Sequence, residues 1–213
     1  MARFERKYKI VGMEAETIRA NLRLHPAGFT DLYPDRRINN IYFDTIELTT
    51  FNQNVAGENQ RKKFRMRWYG YEMETLKSPR FEIKVKHNEL GTKKVTACPD
   101  LPFSNIDKLT TFANEHSKNF APLFPVLLNS YERSYLSSAD GRFRITIDRK
   151  LQYFSLLGRK SFTGYLKEES GVILEVKYEE EDDDNAPFIL QNLPYRHSNS
   201  SKYVNGVVLS SMF

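Results

Sequence analysis

Five short stretches of this chain carry charged residues at alternate positions, and the charges are of the kinds that hold phosphate. Arg3, Glu5, Lys7 and Lys9 share one parity, as do Arg65 and Arg67, then Glu82, Lys84 and Lys86, then Arg142 and Arg144, and finally Glu175 and Lys177. Arg offers phosphoryl oxygens a planar fork of donors and Lys a compact ammonium, so a mixed set suits several successive phosphoryl groups. The carboxylates Glu5, Glu82 and Glu175 would repel such a ligand unless a cation stood between them. Hard carboxylate oxygens suit Mg²⁺ or Mn²⁺, ions that keep waters, bridge to substrate phosphates and stabilise charge developing in phosphoryl transfer. Pairing of these glutamates with neighbouring Arg and Lys is the other reading, and the residues alone leave both open.

Period-two alternation belongs to strands, so a β-rich framework must carry these rows. Arg3 to Ile10 sets Phe4, Arg6 and Tyr8 against the charged row. A strand is predicted at Ile38 to Asp44, then a polar loop containing Asn52 to Asn59, then a strand from Lys63 to Tyr69 with Phe64, Met66 and Trp68 opposite Lys63, Arg65 and Arg67. Phe81, Ile83 and Val85 face away from Glu82, Lys84 and Lys86, and Asn88 to Gly91 reads as a turn into Thr92 to Ala97. Strands are also predicted over Asn129 to Leu136, Arg142 to Asp148 and Val172 to Tyr178, with a less regular ribbon between Leu151 and Tyr165. Helical spacing predicts short helices over Glu14 to Leu24, after the capping-box-like Ser104-Asn-Ile-Asp107, over Ala121 to Leu128, and from near Asn185 to Pro194.

One sheet face thus gathers most of the cations. As the outer face of a sandwich it would be a wetted surface, and the pattern would mean only solubility. In a closed barrel every strand presents one face inward, and so many enclosed cations would require counter-charges and an anionic ligand.

Composition fits a soluble globular chain: hydrophobic residues make up 40% and charged residues 28%, without a linker-like tract, so residues 1–213 read as a single domain. The 12 Tyr and 15 Phe favour strands. The net charge of +5 includes the acidic run Glu179 to Asp184, which holds six of the 27 carboxylates and reads as a solvated loop. A basic balance of this kind suggests an anionic partner. The lone Cys98 cannot form an internal disulfide and reads as inert packing, and Met-Ala-Arg-Phe-Glu-Arg-Lys contains no signal peptide, so a reducing, cytoplasmic setting is expected. No stretch approaches the roughly 18 apolar residues of a membrane span, which leaves membrane association to a partner protein.

The segments Phe4-Glu-Arg-Lys-Tyr8, Ile41-Tyr-Phe-Asp-Thr45, Arg65-Met-Arg67, Phe81-Glu-Ile-Lys84, Ser130-Tyr-Glu-Arg133, Arg144-Ile-Thr-Ile-Asp148, Leu174-Glu-Val-Lys177 and Ser201-Lys-Tyr203 follow one another in an order that resembles the VTC domain, a member of the triphosphate tunnel metalloenzymes. The resemblance implies a β-rich α+β fold, a closed antiparallel tunnel barrel of about eight strands with a few short helices packed outside. It implies the polyphosphate polymerase activity found in the family's eukaryotic members, with triphosphatase or cyclase activity among more distant relatives. Carried onto this chain, Lys7, Arg65, Arg67, Lys84, Arg133 and Arg144 resemble the phosphate ligands, Tyr131 and Ser201 add hydroxyls, Lys202 completes the set, and Lys94 is a further candidate. Glu175 resembles the metal-binding glutamate, with Glu5 and Glu82 as further candidates. Where the family commonly has Lys-Phe-Ser-Lys, this chain reads Asn199-Ser-Ser-Lys202, one cation fewer.

Walker-type and dinucleotide-binding glycine loops and zinc-spaced Cys/His clusters are missing from the sequence, and the four His are scattered. Three readings follow: a metal-dependent phosphotransferase acting on a nucleoside triphosphate to extend polyphosphate, a triphosphate or nucleotide hydrolase, and a polyphosphate-binding module without turnover. Nucleic acid ranks below these, because the aromatics fall mainly on the apolar faces.

Overall fold

The computed structural model describes residues 3–88, 90–118, 120–159 and 164–211. Its centre is a ring of eight antiparallel strands: β1 (Arg3–Ile10), β2 (Thr30–Asp44), β3 (Gln60–Tyr69), β5 (Arg80–His87), β6 (Leu90–Ala97), β8 (Phe124–Ser137), β9 (Arg144–Ser155) and β11 (Val172–Glu179). Around the ring they run β9, β11, β1, β6, β5, β3, β2 and β8, with β8 pairing back onto β9. The short strands β4 (Thr75–Leu76) and β7 (Leu101–Pro102) pair with each other, and β10 (Lys167–Glu169) extends the sheet along β9.

Alternation sorts each strand into a bore face and an outer face, as in any closed sheet. Outward residues build two cores against helices. Tyr8, Ile10, Ile145, Ile147, Leu174 and Val176 pack with Ile18 and Leu22 of α1 (Ala15–Arg23) and Ile189 of α4 (Ala186–Leu190). Ile41, Phe43, Phe64, Met66, Trp68 and Phe81 pack with Leu109 and Ala113 of α3 (Ile106–His116). The cap of α3 is Asn105, whose side chain accepts from the Lys108 N–H, one residue beyond the Ser104 of the expected capping box.

Four expectations need correction. Ala121 to Leu128 is no helix: β8 begins at Phe124 and is buried on both faces, so its apolar run loses the alternation that identifies a strand. Asn52 to Asn59 is partly helical, in α2 (Thr49–Val55), whose backbone N–H groups at Thr50 and Phe51 donate to the buried carboxylate of Asp44 at 2.9 and 2.8 Å. The acidic run from Glu180 is solvated as expected except at Asp182, which is buried, but it forms a 3-10 turn over Glu180–Asn185 instead of an irregular loop. A helix that the periodicity did not reveal, α5 (Lys202–Ser211), packs inside the ring. Its Tyr203 and Val207 join Leu127, Tyr131, Leu151 and Tyr153, on the same face of β8 as Arg133. Gly206 permits this approach, since a Cβ there would overlap Tyr153 and Leu127. Part of the expected ribbon between Leu151 and Tyr165 lies outside the described residues; its first half continues β9.

The seam of the ring is between β1 and β6, joined among the described residues by the pair Arg3 and Gly91. Beyond it the free edge of β1 is covered by the segment that leads into α5. Ser198 N–H donates to the Lys7 carbonyl at 2.7 Å, Lys9 N–H donates to Ser198 Oγ at 3.0 Å, and Tyr8 bridges to His197. Edge protection and delivery of Ser201 and Lys202 to the bore are therefore one device. Among the described residues no helix is long and apolar enough to cross a membrane.

Candidate functional site

The bore holds a cavity of roughly 390 Å³, lined by seven of the strands and by α5. From β1 come Arg3 and Lys7, from β3 Lys63, Arg65 and Arg67, from β5 Lys84, from β6 Lys93, from β8 Arg133, from β11 Lys177 and from α5 Lys202. These ten cations face two carboxylates that line the same space, Glu5 and Glu175. A second cavity of roughly 530 Å³ continues from it through Glu5, Lys7, Lys63, Lys84 and Ser201 toward Arg61, Lys86 and Asn199. The cations therefore surround a continuous passage.

Ion pairs hold the cations in place. Glu82, buried, accepts from Arg65 Nε at 2.6 Å and lies 3.4 Å from Lys93 Nζ and 3.9 Å from an Arg67 nitrogen. Arg67 Nε donates to Asn40 at 2.9 Å, and the chain continues through Asn129 to the Gln152 carbonyl, so a polar ladder across four strands fixes this guanidinium. Asp148, fully buried, takes a two-pronged contact from Arg133 at 2.5 and 2.7 Å and another from Lys202 at 2.5 Å. Arg133 and Lys202 both lie over the Tyr131 ring, 5.2 and 4.9 Å from its centroid. Lys84 reaches Glu5 at 2.7 Å, Lys177 reaches Glu175 at 2.9 Å, and Lys63 donates to Ser201 Oγ at 2.9 Å. Counting Glu82, Asp148 and the Glu179 that pairs with Arg3 along with Glu5 and Glu175, the ten lining basic residues meet five carboxylates among the described residues, an excess of five basic groups. The N-terminal end of α5 adds its partial positive charge at Ser201.

The model of the VTC domain family matches residues 2–211. The chain belongs to the VTC domain family. Solved structures with the same tunnel fold include a candidate adenylate cyclase from Vibrio parahaemolyticus (TM-score 0.52, 13% identity, 90% of this chain and 86% of that one). Another is a candidate adenylyl cyclase from Hippeastrum described as having a dominant triphosphatase activity (TM-score 0.51, 14% identity, 95% and 93%). A third is a Pyrococcus horikoshii protein (TM-score 0.51, 11% identity, 96% and 94%). At such identities the likeness is one of fold. No curated protein sequence matches the chain.

In this VTC domain the bore brings together Lys7, Arg65, Arg67, Lys84, Tyr131, Arg133, Glu5, Glu175, Ser201 and Lys202 from the expected set. Arg144 pairs with Lys177 in register and stands exposed at the rim, outside the cavity lining. Lys94 faces the outside, against Lys62 and Phe120, because the hairpin register sets Lys84 opposite Lys93; Lys93 is the bore-facing residue. Lys9 turns to Glu169 at 2.6 Å, and Arg142 lies outside β9, paired with Asp140 at 2.8 Å. Lys63, Lys93 and Asp148 also belong to the site, although residue pattern alone did not single them out. Lys63 was in plain sight on the Arg65 parity, whereas Asp148 became informative only when the fold placed it beneath Arg133. Cys98 is buried and its thiol pushed up to about 11 by burial, consistent with inert packing.

Among the described residues no three His, Cys, Asp or Glu groups converge into a ready metal cage. Glu82 is taken up by Arg65, apart from the other two glutamates. Glu5 and Glu175 sit diagonally across β1 and β11 and influence each other electrostatically. The Thr146 hydroxyl, buried without a hydrogen-bond partner, stands in register beside Glu175. Two carboxylates and a hydroxyl fit a hard cation that completes its shell with phosphate oxygens and waters.

The bore also perturbs its own bases. Burial, reinforced by Lys7, Lys84, Arg61 and Arg65, holds the Lys63 ammonium well below the usual lysine range. Burial brings Lys84 down to about 8, against the pull of Glu5. A bound polyanion favours the charged form of Lys63. Above the lowered free-state value, tripolyphosphate binding is therefore expected to take up a proton, and affinity should fall with rising pH by up to about tenfold per unit for each proton taken up. Calorimetry in two buffers of different ionisation enthalpy measures the uptake; the same uptake in Lys63→Met would assign it elsewhere.

Proposed function

We infer that this VTC domain is a metal-dependent phosphotransferase of the polyphosphate polymerase type, taking the terminal phosphoryl group of a nucleoside triphosphate. The observation that carries the reading is the excess of cations in an enclosed bore: only a polyanion compensates it. In the transfer, a terminal oxygen of the acceptor chain bonds to the γ-phosphorus while the bond from that phosphorus to its bridging oxygen breaks. The electron pair leaves with the nucleoside diphosphate, and the acceptor grows by one phosphoryl group.

Arg65 and Arg67, held rigid by Glu82 and Asn40, would orient the donor phosphates. Arg133 and Lys202, preset on Asp148 and Tyr131, would bind the equatorial oxygens on which charge develops. Mn²⁺ or Mg²⁺ held by Glu175 and Glu5 would supply further neutralisation of that charge. Positioning and electrostatics would carry the rate, without a protein nucleophile.

Incubation with ATP and Mn²⁺ is expected to give long polymer on a gel. Glu175→Gln should lower turnover at least about 100-fold, as removal of a transition-state stabiliser does, while tripolyphosphate affinity without metal stays the same or rises. Stoichiometric orthophosphate without polymer would instead assign water as the acceptor. Asn199, lining the second cavity where the family commonly places lysine, favours a third reading, a non-catalytic polyphosphate-binding module. Saturable binding without turnover under any metal would select it.

A further inference from the structure

Beyond the phosphate-facing residues, strand parity places a set of tyrosines at the end of the bore where Arg67 and Arg133 lie. On β3 the inward positions Lys63, Arg65 and Arg67 are followed by Tyr69, and on β8 Tyr131 and Arg133 are followed by Tyr135. Two residues along a strand advance about 7 Å, so both rings stand one step past the Arg67 and Arg133 level. On β2, Arg36 lies directly opposite Arg133. Its guanidinium carbon sits 5.3 Å from the ring centroid of Tyr33, 5.7 Å from that of Tyr135 and 6.0 Å from that of Tyr69.

Two features set this group apart from core packing. Two of the three rings are open to solvent, Tyr33 at 49% and Tyr69 at 38% exposure, and Tyr135 is half-buried. Arg36 forms no ion pair with a described carboxylate, whereas nearby Arg19 and Arg149 pair with Asp35. The aromatics around it thus restrain a guanidinium plane at the mouth, leaving its charge and its outer face available.

We propose that Arg36, Tyr33, Tyr69 and Tyr135 form a nucleobase site, which stacks the base of a nucleoside triphosphate whose phosphates extend inward past Arg67 and Arg133 toward Lys63. The assignment rests on the reading of the bore as a triphosphate site and adds the polarity of the substrate within it. Every base has a π-face, so stacking on tyrosine and guanidinium gives affinity with little base preference. Inorganic tripolyphosphate fills the bore without using these rings.

The test compares ATP, ribose 5-triphosphate and inorganic tripolyphosphate as ligands of the full chain by calorimetry in metal-free buffer. In the wild type, ATP is expected to bind about tenfold or more tighter than ribose 5-triphosphate, which has the same phosphates without a base. Tyr69→Ala with Tyr135→Ala should remove that margin and leave tripolyphosphate affinity unaltered, and the conservative pair Tyr69→Phe with Tyr135→Phe should retain it. Equal wild-type affinities for ATP and ribose 5-triphosphate overturn the nucleobase site, whatever the variants do. A parallel loss of ATP and tripolyphosphate affinity in the alanine variant overturns it too. If tripolyphosphate does not bind the wild type at all, the underlying reading of the bore fails instead.

Discussion

With Arg65 and Arg67 both replaced by Ala, inorganic tripolyphosphate is expected to bind the domain at least about 100-fold more weakly. Each guanidinium supplies charge-assisted hydrogen bonds worth about 1.5–3 kcal/mol, and two of them correspond to a factor of about 10² to 10⁴ in affinity. Removing Arg65 also strands the buried Glu82, which would then retain only the longer contact to Lys93. Loss of affinity could thus arise from a loosened wall. Adding Glu82→Gln to the pair removes the stranded charge, and the triple variant should fold normally and still bind weakly. A control that removes two outward lysines, Lys62 and Lys108, changes net charge equally and should leave affinity nearly intact. If the double variant bound as tightly as the wild type, the arginines would not contact the ligand.

The second large effect concerns Asp148, whose replacement by Ala should lower thermal stability and enlarge the stabilisation conferred by ligand. Its carboxylate lies between Arg133 and Lys202, both almost wholly buried. Breaking a buried pair by removing one partner costs about 3–5 kcal/mol, which for a chain of this size is a fall of roughly 6–20 °C in Tm. Tripolyphosphate restores the missing negative charge, so its addition should raise the Tm of Asp148→Ala more than that of the wild type. Burial would raise this carboxyl group, but Arg133 and Lys202 prevail and bring it down to about 2. Because its folded value is depressed, the stabilisation is complete above the unfolded value near 4 and is lost as pH falls through about 2. Scanning calorimetry from pH 5 to 2, with and without ligand, measures both effects. Equal ligand-induced shifts in the two proteins would refute the competition between Asp148 and phosphate.

Legibility in the sequence followed the reach of local pattern. Strand β1 was predicted with the bounds it has, and the rows on β3, β5 and β11 fall on the bore side as alternation requires. Where both faces of a strand are buried, the pattern vanished: Leu123 and Leu128 pack outside the ring and Val126 and Leu127 inside, so the start of β8 looked like a helix. In β9 a register shift near Arg149 and Lys150, the latter at φ +52°, lets both Asp148 and Leu151 face inward despite opposite parity. Alternation counted along the chain cannot reveal such a step. The confusion of Lys94 with Lys93 has the same origin, a one-residue count across a turn that reverses every side chain beyond it.

Helix α5 illustrates the other limit. Its seat depends on Gly206 fitting between Tyr153 and Leu127, residues far away in sequence, and its N-terminal end is placed by the segment that covers the edge of β1. The tyrosines around Arg36 are likewise drawn from three strands and share a mouth only once β2 pairs with β3 and β8.

What the chain determined by itself is the sign and parity of its charged rows, because the pleat sends alternate side chains to opposite faces whatever the neighbouring strands do. Tertiary structure alone decided that those rows enclose a passage, which carboxylate serves which cation, and where the aromatic mouth lies. Ring closure joins β8 to β9 and β1 to β6 through registers set by distant pairings, and cations become costly to leave without a counter-ion only after that closure removes them from water.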